Sequence, residues 1–175
     1  GTFSFYPGKN LGALGDAGAI TTNCSKIYNT AKKFSLHGQV SKGNFEFVGL
    51  NSRMDALQAK ILLLKLKKLQ VHNEKRREVA VRYLNEIDNE LVHFLKLTSS
   101  SKHVFHQFVI RVVDREPFQR YLKEKKIETG NHYSFSLSEI DFLNEDSVYK
   151  CPVAERIKGE VVSLPMHPLL LDGEV

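Results

Sequence analysis

The chain has 175 residues, of which 42% are hydrophobic and 26% charged, a balance typical of a soluble globular protein and too apolar for a disordered one. Its apolar runs are short, ILLL at 61–64 being typical, which excludes a membrane-spanning segment. The formal net charge of +5 is modest and is weak evidence for an anionic partner. The two cysteines, Cys24 and Cys151, lie far apart without a CxxC spacing, so we expect buried, reduced thiols in a cytoplasmic protein.

The first fifty residues predict a hairpin, a helix and a loop. Residues 2–6 and 17–23 flank a turn rich in glycine, which favours two strands joined by a tight backbone path. Residues 25–36 carry apolar side chains at helical spacing and end at His37-Gly38, where a helix C-terminus is expected. Residues 38–50 are predicted to form a polar loop.

A long helical segment is predicted next. Helical spacing of apolar residues runs from 52 to 87 and is interrupted at 70–77, which predicts one long helix or two helices with a bend near His72. Ser52 and Asp55 form a capping-box pattern at its start. A single helix of this length would span roughly 50 Å at about 1.5 Å per residue, so we expect it to connect two domains.

The last part of the chain predicts a small α/β unit. Its pattern predicts a strand at 106–113, a helix at 116–126 and a second strand at 127–133. A loop at 134–150 and a final helix at 153–162 are predicted to follow. Pro117 lies near the first turn of the first of these helices, where proline is tolerated.

The glycine-rich turn contains Lys9, five residues after the hydroxyl of Ser4. A lysine between two strands is most often a solvated turn residue. In this setting, however, Lys9 is placed to form a Schiff base with an aldehyde, while Ser4 can hold a phosphate.

Two segments carry a family resemblance. SFYPGKNLG at 4–12, followed by GDAGA at 15–19, resembles the signature of the DegT/DnrJ/EryC1/StrS sugar aminotransferases, which use pyridoxal 5'-phosphate. GLNSRMD at 49–55 is similar to a second family motif. Supporting matches follow in the family's order at 37–38, 58–59, 76–77, 83, 106–111 and 163–166. The resemblance implies an α/β fold, namely the C-terminal half of a fold-type I pyridoxal-phosphate aminotransferase with a long connecting helix and a small α/β domain.

The resemblance implies roles for three residues. Lys9 matches the catalytic lysine that forms the Schiff base and moves the substrate proton. Ser4 matches the hydroxyl that binds the cofactor phosphate, and Asn51 matches an asparagine that reaches the phosphate of the neighbouring subunit's cofactor. We also expect Asn51 at the N-terminal end of a helix, where N–H groups and the helix dipole favour an anion; capping of that helix by Asn51 or Ser52 is the alternative.

The family pattern also implies a domain division and a function. Residues 1–51 are expected to be the end of the large cofactor-binding domain. Residues 52–98 are expected to form a connecting helix region, and residues 99–175 a small C-terminal α/β domain. The implied reaction transfers an amino group from glutamate to a nucleotide-linked keto-sugar, in a homodimer with shared active sites. Family chains are longer, and several of their cofactor-binding residues precede the lysine. We therefore expect the 175 residues alone to be inactive, and a non-catalytic dimerisation or interaction fragment, or a degenerate homologue, is the alternative.

Other features favour structural roles. Basic residues along the predicted long helix lack interleaved aromatic residues, so we expect a solvated face and no nucleic-acid site; they are Lys65, Lys67, Lys68, Arg76 and Arg77. The histidines do not cluster at ligand spacing, since His103 and His106 run from a loop into a strand, and no metal site is predicted.

Overall fold

The computed structural model describes residues 1–98, 100–140 and 150–175. These residues form two compact units, Gly1–Val71 and His72–Val175. The boundary between the units lies inside the segment that was expected to connect two domains. The part of the predicted loop at 141–149 lies outside the described residues.

The first unit consists of two hairpins and a helical segment. Its elements are, in order, β1 (Thr2–Ser4), β2 (Gly18–Ile20), α1 (Ser25–Phe34), β3 (Gln39–Ser41), β4 (Asn44–Phe45) and α2 (Ala56–Leu66). The β1–β2 and β3–β4 pairs are both antiparallel. The predicted first hairpin and the predicted helix at 25–36 are therefore confirmed, whereas the predicted polar loop contains a second hairpin.

Helix α1 ends where the sequence predicted. His37 and Gly38 have φ angles of 64° and 77°, the left-handed conformation that closes many helices. The Gly38 N–H donates to Lys33 O at 2.8 Å, which caps the last turn. A Cβ at position 38 would lie 1.7 Å from Phe47 O, so only glycine fits this turn.

The long helical segment is two helices. Helix α2 ends at Leu66, and α3 (Leu69–Glu86) begins two residues later, which confirms the second predicted alternative with the break earlier than His72. The predicted capping box is wrong, because α2 begins at Ala56 with Asp55 at the N-cap position. The physical reason is that the Ser52 N–H donates to Ser35 O at 3.0 Å, which holds residues 50–52 against the end of α1 as extended backbone.

The second unit is a three-stranded antiparallel sheet with helices. After most of α3 its elements are β5 (Val92–Phe94), β6 (Phe108–Val112), α4 (Arg115–Glu124), α5 (Pro152–Ile157) and β7 (Val161–Leu164), with 3-10 turns at Leu137–Glu139 and Asp172–Glu174. The strand order is β5-β6-β7, and both pairs are antiparallel.

The main apolar core lies in this second unit. Alternate residues of β6 face inward, and they pack with side chains from α3, β5, β7 and the segment before β6; the buried members are Val79, Ala80, Tyr83, Val92, Phe105, Phe108, Ile110, Val112, Val162 and Leu164. The Tyr83 and Phe108 ring centroids are 5.0 Å apart. The Tyr83 hydroxyl also donates to Pro165 O at 2.9 Å, so a buried phenol is both packed and hydrogen-bonded.

Two predictions in this unit are corrected, and one strand was missed. The predicted strand at 127–133 makes one isolated antiparallel bridge, between Gly130 and Ser163, because glycine and asparagine are poor strand formers. The predicted helix at 153–162 ends at Ile157, since Gly159 follows and the β-branched pair Val161-Val162 enters a strand. Strand β5 was not predicted, because a run of three residues carries no clear alternation.

Two side-chain predictions are also corrected. Cys24 and Cys151 are free thiols as expected, but both are exposed rather than buried. Arg76 is 7% exposed and therefore does not belong to a solvated basic face.

Among the helices of the described residues, none has both the length and the apolar character needed to cross a membrane. The same residues contain no group of three or more histidine, cysteine or acidic side chains placed to hold a metal ion.

Candidate functional site

The Lys9 turn is a compact loop closed by backbone hydrogen bonds. The Lys9 N–H donates to Tyr6 O at 2.8 Å, and the Ala13 N–H donates to Phe5 O at 2.8 Å. The Phe5 N–H in turn donates to Ala17 O at 2.8 Å, which joins the loop to the second strand of the hairpin. The Lys9 side chain itself is exposed.

Gly12 allows this loop to fold back on itself. A Cβ at position 12 would lie 2.3 Å from Pro7 O and 2.8 Å from Pro7 C, so any other residue would force the backbone apart. Gly8 differs, because its Cβ would meet only the Tyr6 ring, at 3.8 Å. The shape of the loop therefore requires glycine at position 12.

Helix α2 anchors the loop through two side chains. Gln58 Oε1 accepts a hydrogen bond from the Leu14 N–H at 2.8 Å. Lys65 Nζ donates to Gly12 O at 2.6 Å. Neither contact was predicted from the sequence. Gln58 belongs to a supporting family match, which gave it no role. Lys65 was expected on a solvated face, and nothing in the sequence indicates its contact with the loop.

A cavity of about 920 Å³ lies beside the β1–β2 hairpin. It is lined by β1, β2, α1 and residues 51–54, so Ser4 and Asn51 share one cavity of one unit. Its charged lining side chains are Asp16, Lys32 and Arg53. Lys9 is not among the lining residues. The structure therefore brings two of the three predicted site residues together on one surface and leaves Lys9 on the adjoining loop.

Ser4 ends strand β1 at the edge of this cavity. Its Oγ accepts a hydrogen bond from the Tyr6 N–H at 3.3 Å. Because a serine hydroxyl is also a donor, its hydrogen remains available for an acceptor such as a phosphate oxygen.

Asn51 is positioned by pairing with the end of α1. It forms an antiparallel bridge with Leu36, in which the His37 N–H donates to Leu50 O at 2.9 Å. Asn51 therefore lies close to the C-terminal end of α1 and before the start of α2 at Ala56. Both expectations about a helix N-terminus are wrong, since Asn51 has no helix dipole in its favour and neither Asn51 nor Ser52 occupies the N-cap position.

The Asn51 side chain has a charged neighbour that sequence reasoning did not assign a role. Arg53 Nε donates a hydrogen bond to Asn51 Oδ1 at 3.0 Å. The Asn-x-Arg spacing within the second family motif is the sequence feature that could have predicted this contact. Together the Ser4 hydroxyl and the Asn51 amide supply donors of the kind that hold a phosphate group.

Solved structures that are similar to this chain include aminotransferases. The chain matches an aminotransferase named for DegT, DnrJ, EryC1 and StrS from Brucella abortus with a TM-score of 0.91 and 32% identity, over 99% of this chain and 47% of that one. It matches NtdA from Bacillus subtilis, solved with bound cofactor PMP, with a TM-score of 0.88 and 30% identity, over 99% of this chain and 42% of that one. The expected fold class, a mixed α/β part of a pyridoxal-phosphate aminotransferase, is confirmed.

The sequence comparison identifies the family. A model of the DegT/DnrJ/EryC1/StrS aminotransferase family matches residues 1–175, so the chain belongs to this family and the resemblance is confirmed. A curated relative, dTDP-3-amino-3,6-dideoxy-alpha-D-galactopyranose transaminase from Aneurinibacillus thermoaerophilus, is 45% identical over 98% of this chain and 52% of its own length. The chain spans about half the length of the curated relatives it matches.

Proposed function

We propose that the protein containing this chain is a pyridoxal-phosphate-dependent aminotransferase that transfers an amino group from glutamate to a nucleotide-linked keto-sugar. The observation that carries the proposal is the Lys9 loop, which is closed by Gly12, anchored by α2 and followed by a cavity lined by Ser4 and Asn51. The name of the curated transaminase, which acts on a dTDP-linked sugar, supports the substrate class.

The donor set fits the phosphate end of the cofactor. The Ser4 hydroxyl can donate to a phosphate oxygen of the cofactor in its own subunit, and the Asn51 amide can donate to one of the cofactor in the neighbouring subunit. Neither residue is buried, so both can reach a ligand. When bound, pyridoxal phosphate would supply the electron sink of the reaction. These residues would bind the phosphate, so that the aldehyde end of the cofactor can face the Lys9 loop.

Lys9 is proposed as the catalytic residue. Its exposed amine can attach the cofactor covalently through Nζ and can move a proton at the substrate carbon. The loop holds the Lys9 backbone by the hydrogen bond to Tyr6 O, while two contacts from α2 hold the following residues. A loop with a held backbone and an exposed side chain suits a residue that must both bind the cofactor and transfer a proton.

The test is reduction of the cofactor-loaded protein, expressed from its natural reading frame, with borohydride. We expect a covalent adduct that peptide mass spectrometry assigns to Lys9. The adduct should be absent in Lys9→Ala and retained in Lys42→Ala, which removes another exposed lysine. A reducible adduct that persists in Lys9→Ala would reject the assignment.

A homodimer with shared active sites is also proposed, with the cytoplasm as its location. The support is the family match of the Asn51 segment, because the matching asparagine reaches the cofactor of the neighbouring subunit. Mixed dimers of Lys9→Ala and Asn51→Ala subunits should recover activity if sites are shared, since one of the two sites then contains both native residues. Verified mixed dimers without recovery would favour sites built within one subunit.

A non-catalytic interaction fragment is the second candidate. The observation in its favour is that the chain covers 52% of the curated transaminase and 47% of the Brucella structure. For the 175 residues by themselves we expect neither tight cofactor binding nor transamination. Titration of this chain with cofactor tests that expectation, because a micromolar dissociation constant would show that these residues suffice. The mass of the native protein distinguishes the two candidates, since an aminotransferase of the relatives' length would be about twice as long as this chain.

A further inference from the structure

The geometry points to Arg53 as a positioning residue that turns the side-chain amide of Asn51 toward a phosphate group. Arg53 Nε donates to Asn51 Oδ1 at 3.0 Å. An arginine has donors but no acceptor, so only the amide oxygen of Asn51 can face it. The amide NH₂ group is therefore directed away from Arg53, where it can donate to a ligand.

The backbone that carries Asn51 is held without the help of Arg53. The His37 N–H donates to Leu50 O at 2.9 Å, and the Ser52 N–H donates to Ser35 O at 3.0 Å. These bonds place the Cα of Asn51 but leave its side-chain torsions undetermined. The contact from Arg53 selects one of the two orientations of the amide, which differ only in an exchange of oxygen and nitrogen.

Amide orientation decides whether Asn51 attracts or repels an anion. A phosphate offers only acceptor oxygens, so an amide that presented Oδ1 would oppose it, whereas the NH₂ group binds it. The nearest helix end cannot supply the donors, because the C-terminal end of α1 presents carbonyl groups. Side chains must supply them. Arg53 thus fixes the one orientation of Asn51 that suits the ligand.

This inference rests on the proposed function, in which Ser4 and Asn51 hold the cofactor phosphate. The test compares the binding of pyridoxal phosphate with that of pyridoxal, which lacks the phosphate, to the protein expressed from its natural reading frame. In Arg53→Ala the affinity for pyridoxal phosphate should fall about tenfold, as expected when one charge-assisted contact is lost. The affinity for pyridoxal should not change, which also shows that the variant is folded. Arg120→Ala, an exposed arginine of α4, is the matched control and should alter neither affinity.

A double-mutant cycle separates positioning from direct contact. If Arg53 acts through the amide, then Arg53→Ala in an Asn51→Ala background should cause no further loss of phosphate preference. Arg53→Lys, which can donate one hydrogen bond to Oδ1, should recover part of the preference. Additive losses would mean that Arg53 binds the phosphate by itself and would overturn the inference, as would an unchanged preference in Arg53→Ala. If the natural protein binds both ligands equally well, the proposed phosphate site fails and the inference fails with it.

Discussion

Arg76 gives the sharpest test of what holds the second unit together. Its side chain is 7% exposed, and its Nη1 donates to three backbone oxygens: Phe105 O at 3.1 Å, His106 O at 3.3 Å and Met166 O at 2.9 Å. Among the described residues it takes part in no ion pair, so the guanidinium is paired with carbonyl dipoles alone. One side chain of α3 thus joins the segment before β6 to the segment after β7.

The expected cost of Arg76→Met follows from those contacts. A buried acceptor left without a donor costs about 1–3 kcal/mol, and three carbonyl groups would lose Arg76 at once. An opposing contribution is the desolvation of the guanidinium, since burial lowers the pKa of Arg76 and removal of the charge removes that penalty. Methionine also preserves much of the apolar volume. The net loss in free energy of unfolding should be about 2–4 kcal/mol.

The assay is denaturant unfolding of the natural protein, followed by circular dichroism, with hydrogen exchange at the β6 and β7 amides as the local measurement. Arg82→Met is the matched control on the same helix, because Arg82 is more exposed and pairs with Glu86 at 2.9 Å. Its loss should stay below about 1 kcal/mol. Equal losses in the two variants, or unchanged exchange at β6 in Arg76→Met, would refute the role assigned to Arg76.

The remaining predictions concern a glycine, an amide and a carboxylate. Gly12→Ala should weaken cofactor binding, because its Cβ would lie 2.3 Å from a backbone oxygen, whereas Gly8→Ala has room and should bind normally in the same titration. Gln58→Leu should accelerate hydrogen exchange at the Leu14 amide, and Gln58→Glu, which keeps an acceptor, should not. Hydrogen bonds from the N–H that precedes α5 and from a serine hydroxyl lower the pKa of Glu155. The stabilisation by Glu155 is therefore present above its ordinary value of about 4.5 and lost as pH falls through the lower value of the folded state. Lowering the pH should consequently increase amide hydrogen exchange at residues 136–140. The increase should be smaller in Glu155→Gln, which has no carboxylate to protonate.

The elements that the sequence predicted correctly depend on neighbouring residues. The first hairpin follows from glycines between two apolar stretches, and the end of α1 follows from His37-Gly38. The Lys9 loop belongs to the same group, because the backbone–backbone hydrogen bonds that close it join residues at most twelve positions apart. Local signals of this kind are present in a single sequence without any knowledge of the fold.

The elements that the sequence predicted wrongly depend on distant partners. Strand β7 pairs with β6 although some fifty residues separate them, so Val161-Val162 joins a sheet instead of continuing a helix. The position of Asn51 is decided by hydrogen bonds to the end of α1, which no helix-capping pattern can reveal. Arginine usually lies at the protein surface, but Arg76 is buried because its guanidinium can donate to three backbone carbonyl groups. Tertiary pairing overrode local preference in each case.

The first unit keeps its shape with little apolar packing. Within residues 1–71, all of which the structure describes, the buried hydrophobic side chains are Ala13 and Leu62, whereas Phe3 and Ile20 of the hairpin are 52% and 56% exposed. Backbone hydrogen bonds and the polar contacts from α2 are therefore the main interactions that hold the Lys9 loop. They are weak in water, about 0.5–1.5 kcal/mol each, so a loop that positions Lys9, the proposed catalytic residue, needs further apolar burial to stay ordered. The exposed hairpin side chains provide the surface for that burial, which is why we expect the cofactor site to form fully only when this face is covered.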